Sequence, residues 1–118
     1  MSTFRHSIAI GSPDGSRFEE IEALVDTGAT LTVVPASLLR QIGVEPLRMQ
    51  AFVLADGRRV EYPIGRVEVA VEGRSTPTLG VFGPEDVTAT LGVVVLESVG
   101  LTIDPPHLRL VPTPGLLL

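Results

Sequence analysis

Apolar and polar residues alternate along much of the chain, most regularly where Val67, Val69 and Val71 are interleaved with Glu68, Ala70 and Glu72. A period of two puts one set of side chains on a buried face of a strand and the other on a largely polar face. Segments rich in Val, Ile, Leu and Thr predict further strands over Phe4 to Ile10, Arg17 to Val25, Leu47 to Leu54, Arg59 to Tyr62, Thr78 to Phe82, Leu101 to Asp104 and Leu108 to Val111. Ser12-Pro13-Asp14-Gly15 is a turn sequence that joins the first two into an antiparallel hairpin and makes Asp14 a turn residue. Ala55-Asp56-Gly57-Arg58 does the same between Leu47 to Leu54 and Arg59 to Tyr62, and its Asp-Gly pair is the strongest short-range hairpin mark in the chain. The tip of that hairpin is expected to project.

The period lengthens in two places only. Leu31 to Val34 is a short apolar run stopped by Pro35, after which Ala36 to Ile42 has helical spacing and Gly43 supplies a C-terminal cap. Thr88 to Gly92 leads in the same way into Val94 to Val99, capped by Gly100. The two places echo each other, Leu39-x-x-Ile42-Gly43-Val44 against Leu96-x-x-Val99-Gly100-Leu101. Either the two halves share a plan, or any short helix that ends in glycine before a strand gives this pattern. Twelve glycines and ten prolines spread through 118 residues leave no linker or low-complexity block, so the expectation is one all-β domain over residues 1–118 with one or two short helices.

Composition removes whole classes of chemistry. The chain has no cysteine, which excludes disulfides, thiolate nucleophiles and cysteine-bound metal centres. His6 and His107 are far apart in sequence, without helical pairing, so no metal and no cofactor is expected. A net charge of -5 with 19% charged residues opposes attraction to a phosphate backbone, so no nucleic-acid partner is expected either. No apolar run approaches the roughly 20 residues of a membrane helix, and Met1 to His6 has no features of a signal peptide. A soluble protein in the cytoplasm, with no membrane partner, is the expectation.

Against that background one acid stands out. Asp26-Thr27-Gly28 follows the apolar strand end Ala23-Leu24-Val25 and runs into Ala29-Thr30-Leu31-Thr32-Val33-Val34. A carboxylate among residues that must be buried is costly unless it is paired, hydrogen-bonded or protonated. A plain turn role explains Asp before Gly but not the apolar flanks or the middle Thr.

In these residues the chain resembles the retroviral-type, or retropepsin-like, aspartic peptidases in a single-domain form. Their active-site stretch is an apolar pair, Asp-Thr-Gly-Ala and further apolar residues. Their later landmarks correspond here to the hairpin tip Ala55 to Arg58 and to Thr90-Leu91-Gly92 leading through a short helix to Leu101-Thr102-Ile103. The resemblance spans about Phe4 to Asp104 and implies a closed, mostly antiparallel acid-protease fold with one lobe per chain. It implies Asp26 as catalytic carboxylate, with Thr27 tying the active-site loops together and Gly28 allowing close backbone approach. Ala29, Ala55, Asp56, Gly57 and Arg58 would form the site wall and flap over an extended peptide or protein substrate.

Peptide hydrolysis without metal or nucleophilic side chain needs a base to activate water and an acid to protonate the substrate, and two adjacent carboxylates sharing a proton supply both. The other aspartates, Asp14, Asp56, Asp86 and Asp104, lie outside any second copy of the motif. The second carboxylate is therefore expected from Asp26 of a second copy in a homodimer. The chain departs from the family in holding Thr30 and Val93 where retroviral members carry an acid and an Arg that pair. Losing both partners together can be neutral for the fold. Pro112 and Pro114 limit any terminal interface strand, and Leu116-Leu117-Leu118 is left to pack on a partner or to stay free. Two other readings stay open: a dimer of this fold that holds an extended peptide without cutting it, and a small acidic interaction domain in which Asp-Thr-Gly is only a turn.

Overall fold

The computed structural model describes residues 3–118. The described residues form nine strands and two short helices: β1 (Phe4–Gly11), β2 (Phe18–Val25), β3 (Thr32–Pro35), α1 (Ala36–Gln41), β4 (Arg48–Val53), β5 (Arg59–Val71), β6 (Arg74–Gly83), β7 (Thr90–Leu91), α2 (Val93–Val99), β8 (Leu101–Asp104) and β9 (Arg109–Pro112). Seven strands form one sheet in the order β1-β2-β7-β3-β6-β5-β4, and pairing of Ala9 to Gly11 with Glu68 to Ala70 joins β1 to β5 and closes it. Most neighbours are antiparallel, but β2 runs parallel to β7 and β3 parallel to β6. β8 and β9 form a separate two-stranded hairpin.

The alternation read from Val67 to Glu72 belongs to β5, whose Val67, Val69 and Val71 are all at most 2% exposed. They meet Ile8 and Ile10 of β1, Ala23 and Val25 of β2, Leu91 of β7, and Val95 and Leu96 of α2 in one buried cluster. Each fully buried aliphatic side chain of this kind contributes about 1.5–3 kcal/mol relative to exposure. No helix among the described residues is long and apolar enough to cross a membrane.

Two expectations change in detail. The segments read as separate strands over Arg59 to Tyr62 and Val67 to Val71 are one strand of 13 residues. Pro63 does not break it because pairing with β6 begins only at Ile64, leaving Pro63 beside β4 alone. β6 likewise starts at Arg74, four residues before the expected Thr78, because Glu72 and Gly73 both take positive φ (51° and 74°) and form a two-residue hairpin turn. His6 Nε2 lies 2.9 Å from Glu72 Oε1 and ties that turn to β1.

The internal echo has a structural counterpart. Both helices end at a left-handed glycine, Gly43 with φ 85° and Gly100 with φ 74°. The N–H of Gly43 donates to the Arg40 carbonyl and that of Val44 to the Leu39 carbonyl, closing the last turn of α1. Leu39, Ile42 and Val44 are buried, as are their counterparts Leu96, Val99 and Leu101.

The β1–β2 turn is held by Asp14, whose Oδ1 accepts from the Ser12 and Ser16 hydroxyls, both at 2.7 Å, and from the Ser16 N–H at 3.0 Å. These donors hold the Asp14 carboxyl down at about 2, the Ser16 hydroxyl contributing most. A carboxyl held low in the folded state stabilises it above its unfolded value, and that contribution is lost as pH falls through about 2. Asp14→Asn is therefore expected to lower the urea midpoint at neutral pH, with the gap from wild type closing between about pH 4 and pH 2. Urea titrations at stepped pH check this; a gap that stays constant down to pH 2 contradicts it.

Candidate active site

Asp26 stands directly after β2, half-buried, while Thr27 and Gly28 are exposed. Its Oδ1 accepts the Gly28 N–H at 2.8 Å, and its backbone carbonyl accepts the Ala29 N–H at 3.1 Å, so the turn presents the carboxylate on a fixed backbone. The strand leading into it is pinned to the later half of the chain. Leu24 N–H donates to the Ala89 carbonyl at 2.8 Å and Asp26 N–H to the Leu91 carbonyl at 3.2 Å.

Beyond the turn the two halves cross at backbone contact. A Cβ on Gly92 would lie 2.6 Å from the Thr30 carbonyl oxygen and from the Leu31 carbonyl carbon, so only glycine fits. Gly92 N–H donates to the buried Thr32 hydroxyl at 3.0 Å, Val93 N–H to the Ala29 carbonyl at 2.8 Å, and Val94 N–H to the Thr30 carbonyl at 3.2 Å. Within the chain the side chain that ties the crossing is thus Thr32, which the sequence reading did not single out. A polar residue at the first position of an apolar strand, four residues after the motif glycine, is the mark that could have found it. Where the family pattern has an acid and an Arg, the Thr30 carbonyl accepts from Val94 and the Val93 N–H donates to Ala29, main-chain bonds that do not depend on the side chains of Thr30 and Val93.

The Asp26–Gly28 turn separates two clefts. Gly28, Ala29 and Thr30 line one of about 570 Å³, with Leu31 and Val33, the β4 residues Gln50 to Val53, Leu54, Tyr62, Val81, Pro84 and Val87. All its lining residues are uncharged. Thr27 lines the other, of about 590 Å³, between α2, the start of β8 and the tail residues Thr113 to Leu116. The β4–β5 hairpin thus covers the first cleft with its arm. Its exposed tip, Ala55, Asp56, Gly57 and Arg58, does not line the cleft, so of the expected wall residues Ala29 does and the four tip residues do not. The tip is a tight turn, with Gly57 at φ 88° and its N–H donating to the Leu54 carbonyl at 2.9 Å. Asp56 accepts from Arg58 N–H at 3.0 Å and Nε at 2.7 Å; those bonds, the backbone one first, hold its carboxyl below the usual range. No group of acids and histidines that could hold a metal occurs among the described residues.

Comparison with known proteins gives the family and the fold. Residues 17–103 match the family model described as gag-polyprotein putative aspartyl protease. Among solved structures, EIAV protease complexed with the inhibitor HBY-793 superposes with a TM-score of 0.56 at 21% identity, covering 84% of this chain and 89% of that one. The Simian Foamy Virus (mac) protease gives 0.55 at 20% identity over 79% and 91% of the two chains. A retropepsin-like aspartic protease from Rickettsia conorii gives 0.51 at 21% identity over 88% and 89%. No curated protein sequence matches the chain. The chain belongs to the retropepsin-like aspartyl protease family, and its fold is the retropepsin fold.

The crossing can be broken in two graded ways. Thr32→Val removes the acceptor of a buried N–H and is expected to cost about 1–3 kcal/mol. Gly92→Ala forces a side chain against backbone atoms that cannot swing away, which puts it at or above the top of the usual overpacking cost of about 1–3 kcal/mol. Urea unfolding of both variants checks the order; Gly92→Ala as stable as wild type contradicts the close approach.

Proposed function

We propose that the protein is an aspartic endopeptidase of the cytoplasm that hydrolyses peptide bonds in extended substrates, working as a homodimer in which two Asp26 carboxylates face each other. The observation that carries this reading is the Asp26–Gly28 turn, in which Gly28 N–H fixes the Asp26 carboxylate while the next two residues line two different clefts, Thr27 one and Gly28 the other. The cleft on the Gly28 side lies under the hairpin and suits a substrate chain. The Thr27 side suits a second copy: β8 pairs only with β9 among the described residues, leaving its other edge free to pair across a twofold axis.

In this mechanism one carboxylate, ionised, takes a proton from water as the oxygen attacks the substrate carbonyl. The other, protonated, donates to the carbonyl oxygen; as the C–N bond then breaks, the first carboxylate passes the proton it took from water to the leaving amine and the second recovers its own from the tetrahedral hydroxyl. Gly28 N–H fixes one oxygen of Asp26 through its 2.8 Å bond and leaves the other for water or substrate. The β4–β5 hairpin closes over the substrate and excludes water. Thr27 faces its counterpart in the partner.

One observation favours a second reading, a dimer that holds peptides without cutting them. The hairpin tip is stiffened by the Asp56–Arg58 pair, and a tip that closes less would exclude less water. Asp26→Asn separates the two. The amide oxygen keeps the bond from Gly28 N–H, so stability is expected to change by no more than about 1 kcal/mol. Cleavage of a mixed peptide library is expected to fall by on the order of 10³-fold or more, while bound peptide is retained. Cleavage should also rise and fall within the acid range, because the pair works only when singly protonated. Undiminished cleavage in Asp26→Asn, or a rate still climbing into alkaline conditions, contradicts the peptidase mechanism.

A further inference from the structure

One wall of the hairpin-side cleft is the loop from Pro84 to Ala89 between β6 and β7, anchored to the sheet at its far end, where Leu24 N–H donates to the Ala89 carbonyl. Its turn is closed by Val87 N–H donating to the Pro84 carbonyl at 3.1 Å. Pro84 and Val87, at the two ends of that turn, line the cleft. Glu85, between them, reaches away from the cleft to α1: its Oε2 accepts the Ser37 N–H at 2.9 Å, and its Oε1 accepts the Ser37 hydroxyl.

These bonds answer a need of α1, whose N-cap, Pro35, has no side chain able to accept a helix N–H. Glu85 supplies the missing acceptor from 48 residues away in sequence. The bonds from Ser37 and, less strongly, the charge of Arg40 hold the Glu85 carboxyl below its usual range. On the other side of the loop, a Cβ on Gly83 would lie 2.7 Å from Val33 Cγ2 and 3.1 Å from Val87 Cγ1, so the missing side chain lets these two cleft residues close on each other. The wall is therefore fixed at its base by contact with β3 and at its crest by one carboxylate.

We propose that Glu85 is a positioning residue that sets the width of this cleft through Ser37, and thereby the size of the uncharged substrate side chain that fits it. This rests on the peptidase reading for the substrate but not for the clamp itself. With the clamp in place Pro84 and Val87 are held at fixed distance from the hairpin arm, and a large apolar side chain is gripped on both sides. Without it the crest from Pro84 to Val87 keeps only its own turn bond, while the far end stays anchored at Thr88 and Ala89, and large side chains lose more than small ones.

The test compares Glu85→Ala, Ser37→Ala and Glu85→Gln with wild type. Hydrogen exchange of the ligand-free proteins is expected to show faster exchange at Glu85 to Ala89 in Glu85→Ala, with wild-type rates elsewhere in the sheet. For peptides with a large aliphatic residue in the cleft, KM is expected to rise about three- to tenfold, the effect of one or two lost hydrogen bonds. Peptides with Ala at that position should keep their KM, and kcat should hold for both. Glu85→Gln, which can still accept from Ser37, should restore most of the loss. Ser37→Ala, which removes only the hydroxyl and keeps the N–H, should fall between and stands in if Glu85→Ala does not fold. Unchanged loop exchange in Glu85→Ala overturns the clamp. An equal rise in KM for large and small side chains overturns its role in size selection. Should no peptide be cleaved by wild type, the exchange data and the binding of a statine-type peptide still judge the clamp, separately from the peptidase reading.

Discussion

The Asp26 turn depends on one close approach, the contact of Gly92 with the backbone of Thr30 and Leu31. β1 pairs with the strand before Asp26 along its whole length, but on its other side β7 offers only two residues, so the later half of the chain would be weakly held there by sheet bonds alone. The crossing prevents this by locking the loop after the turn to the start of α2 through three N–H donors in succession, Gly92, Val93 and Val94. Leu91, fully buried between these bonds and the strand pairing, couples the crossing to the core. The carboxylate is thus carried on main chain held from both sides, the kind of support a reacting group needs if its geometry is to survive thermal motion.

This also explains how the chain keeps the family fold without an acid and an Arg at Thr30 and Val93. A buried ion pair pays a desolvation penalty that its attraction only partly returns, and removing both members costs little when other bonds hold the backbone. Here the main chain of these same two residues is bonded, Thr30 as acceptor of Val94 and Val93 as donor to Ala29. Charged bracing is found at the periphery instead. Arg74 donates to the Val99 carbonyl at 2.7 Å and caps α2, and Asp104, held low chiefly by His107 and then by Arg109, closes the β8–β9 hairpin. The cleft beside Asp26 is left uncharged, suited to apolar side chains.

Much of this was legible in the sequence because local chemistry and long-range structure agree. Asp-Gly at 56–57 makes the hairpin, Gly43 and Gly100 end the helices, and the valines of β5 face the core, each for a reason that acts within a few residues. What stayed hidden depends on residues distant in sequence. Pro63 read as a strand end because its tolerance depends on where β6 begins to pair. Thr32 looked like one more β-former until the fold set Gly92 N–H against its hydroxyl. Glu85 drew no attention in the sequence, since nothing nearby reveals that its partner is Ser37. The hairpin tip, chosen for its turn chemistry, proved to be the far end of an arm whose inner residues, Gln50 to Leu54, make the wall.

The central claim is that one active site needs Asp26 from two chains, and a single-chain tandem of two copies tests it most directly. Joined by a flexible linker, the halves pair at high effective concentration, so activity no longer depends on dilution. With Asp26→Asn in one half only, a shared site faces a carboxylate with an amide that cannot exchange acid and base roles. Turnover of a cleavable peptide should then fall nearly to that of the doubly substituted tandem, with the fold intact. Retention of about half the activity of the unsubstituted tandem, as two independent sites would give, contradicts the shared site.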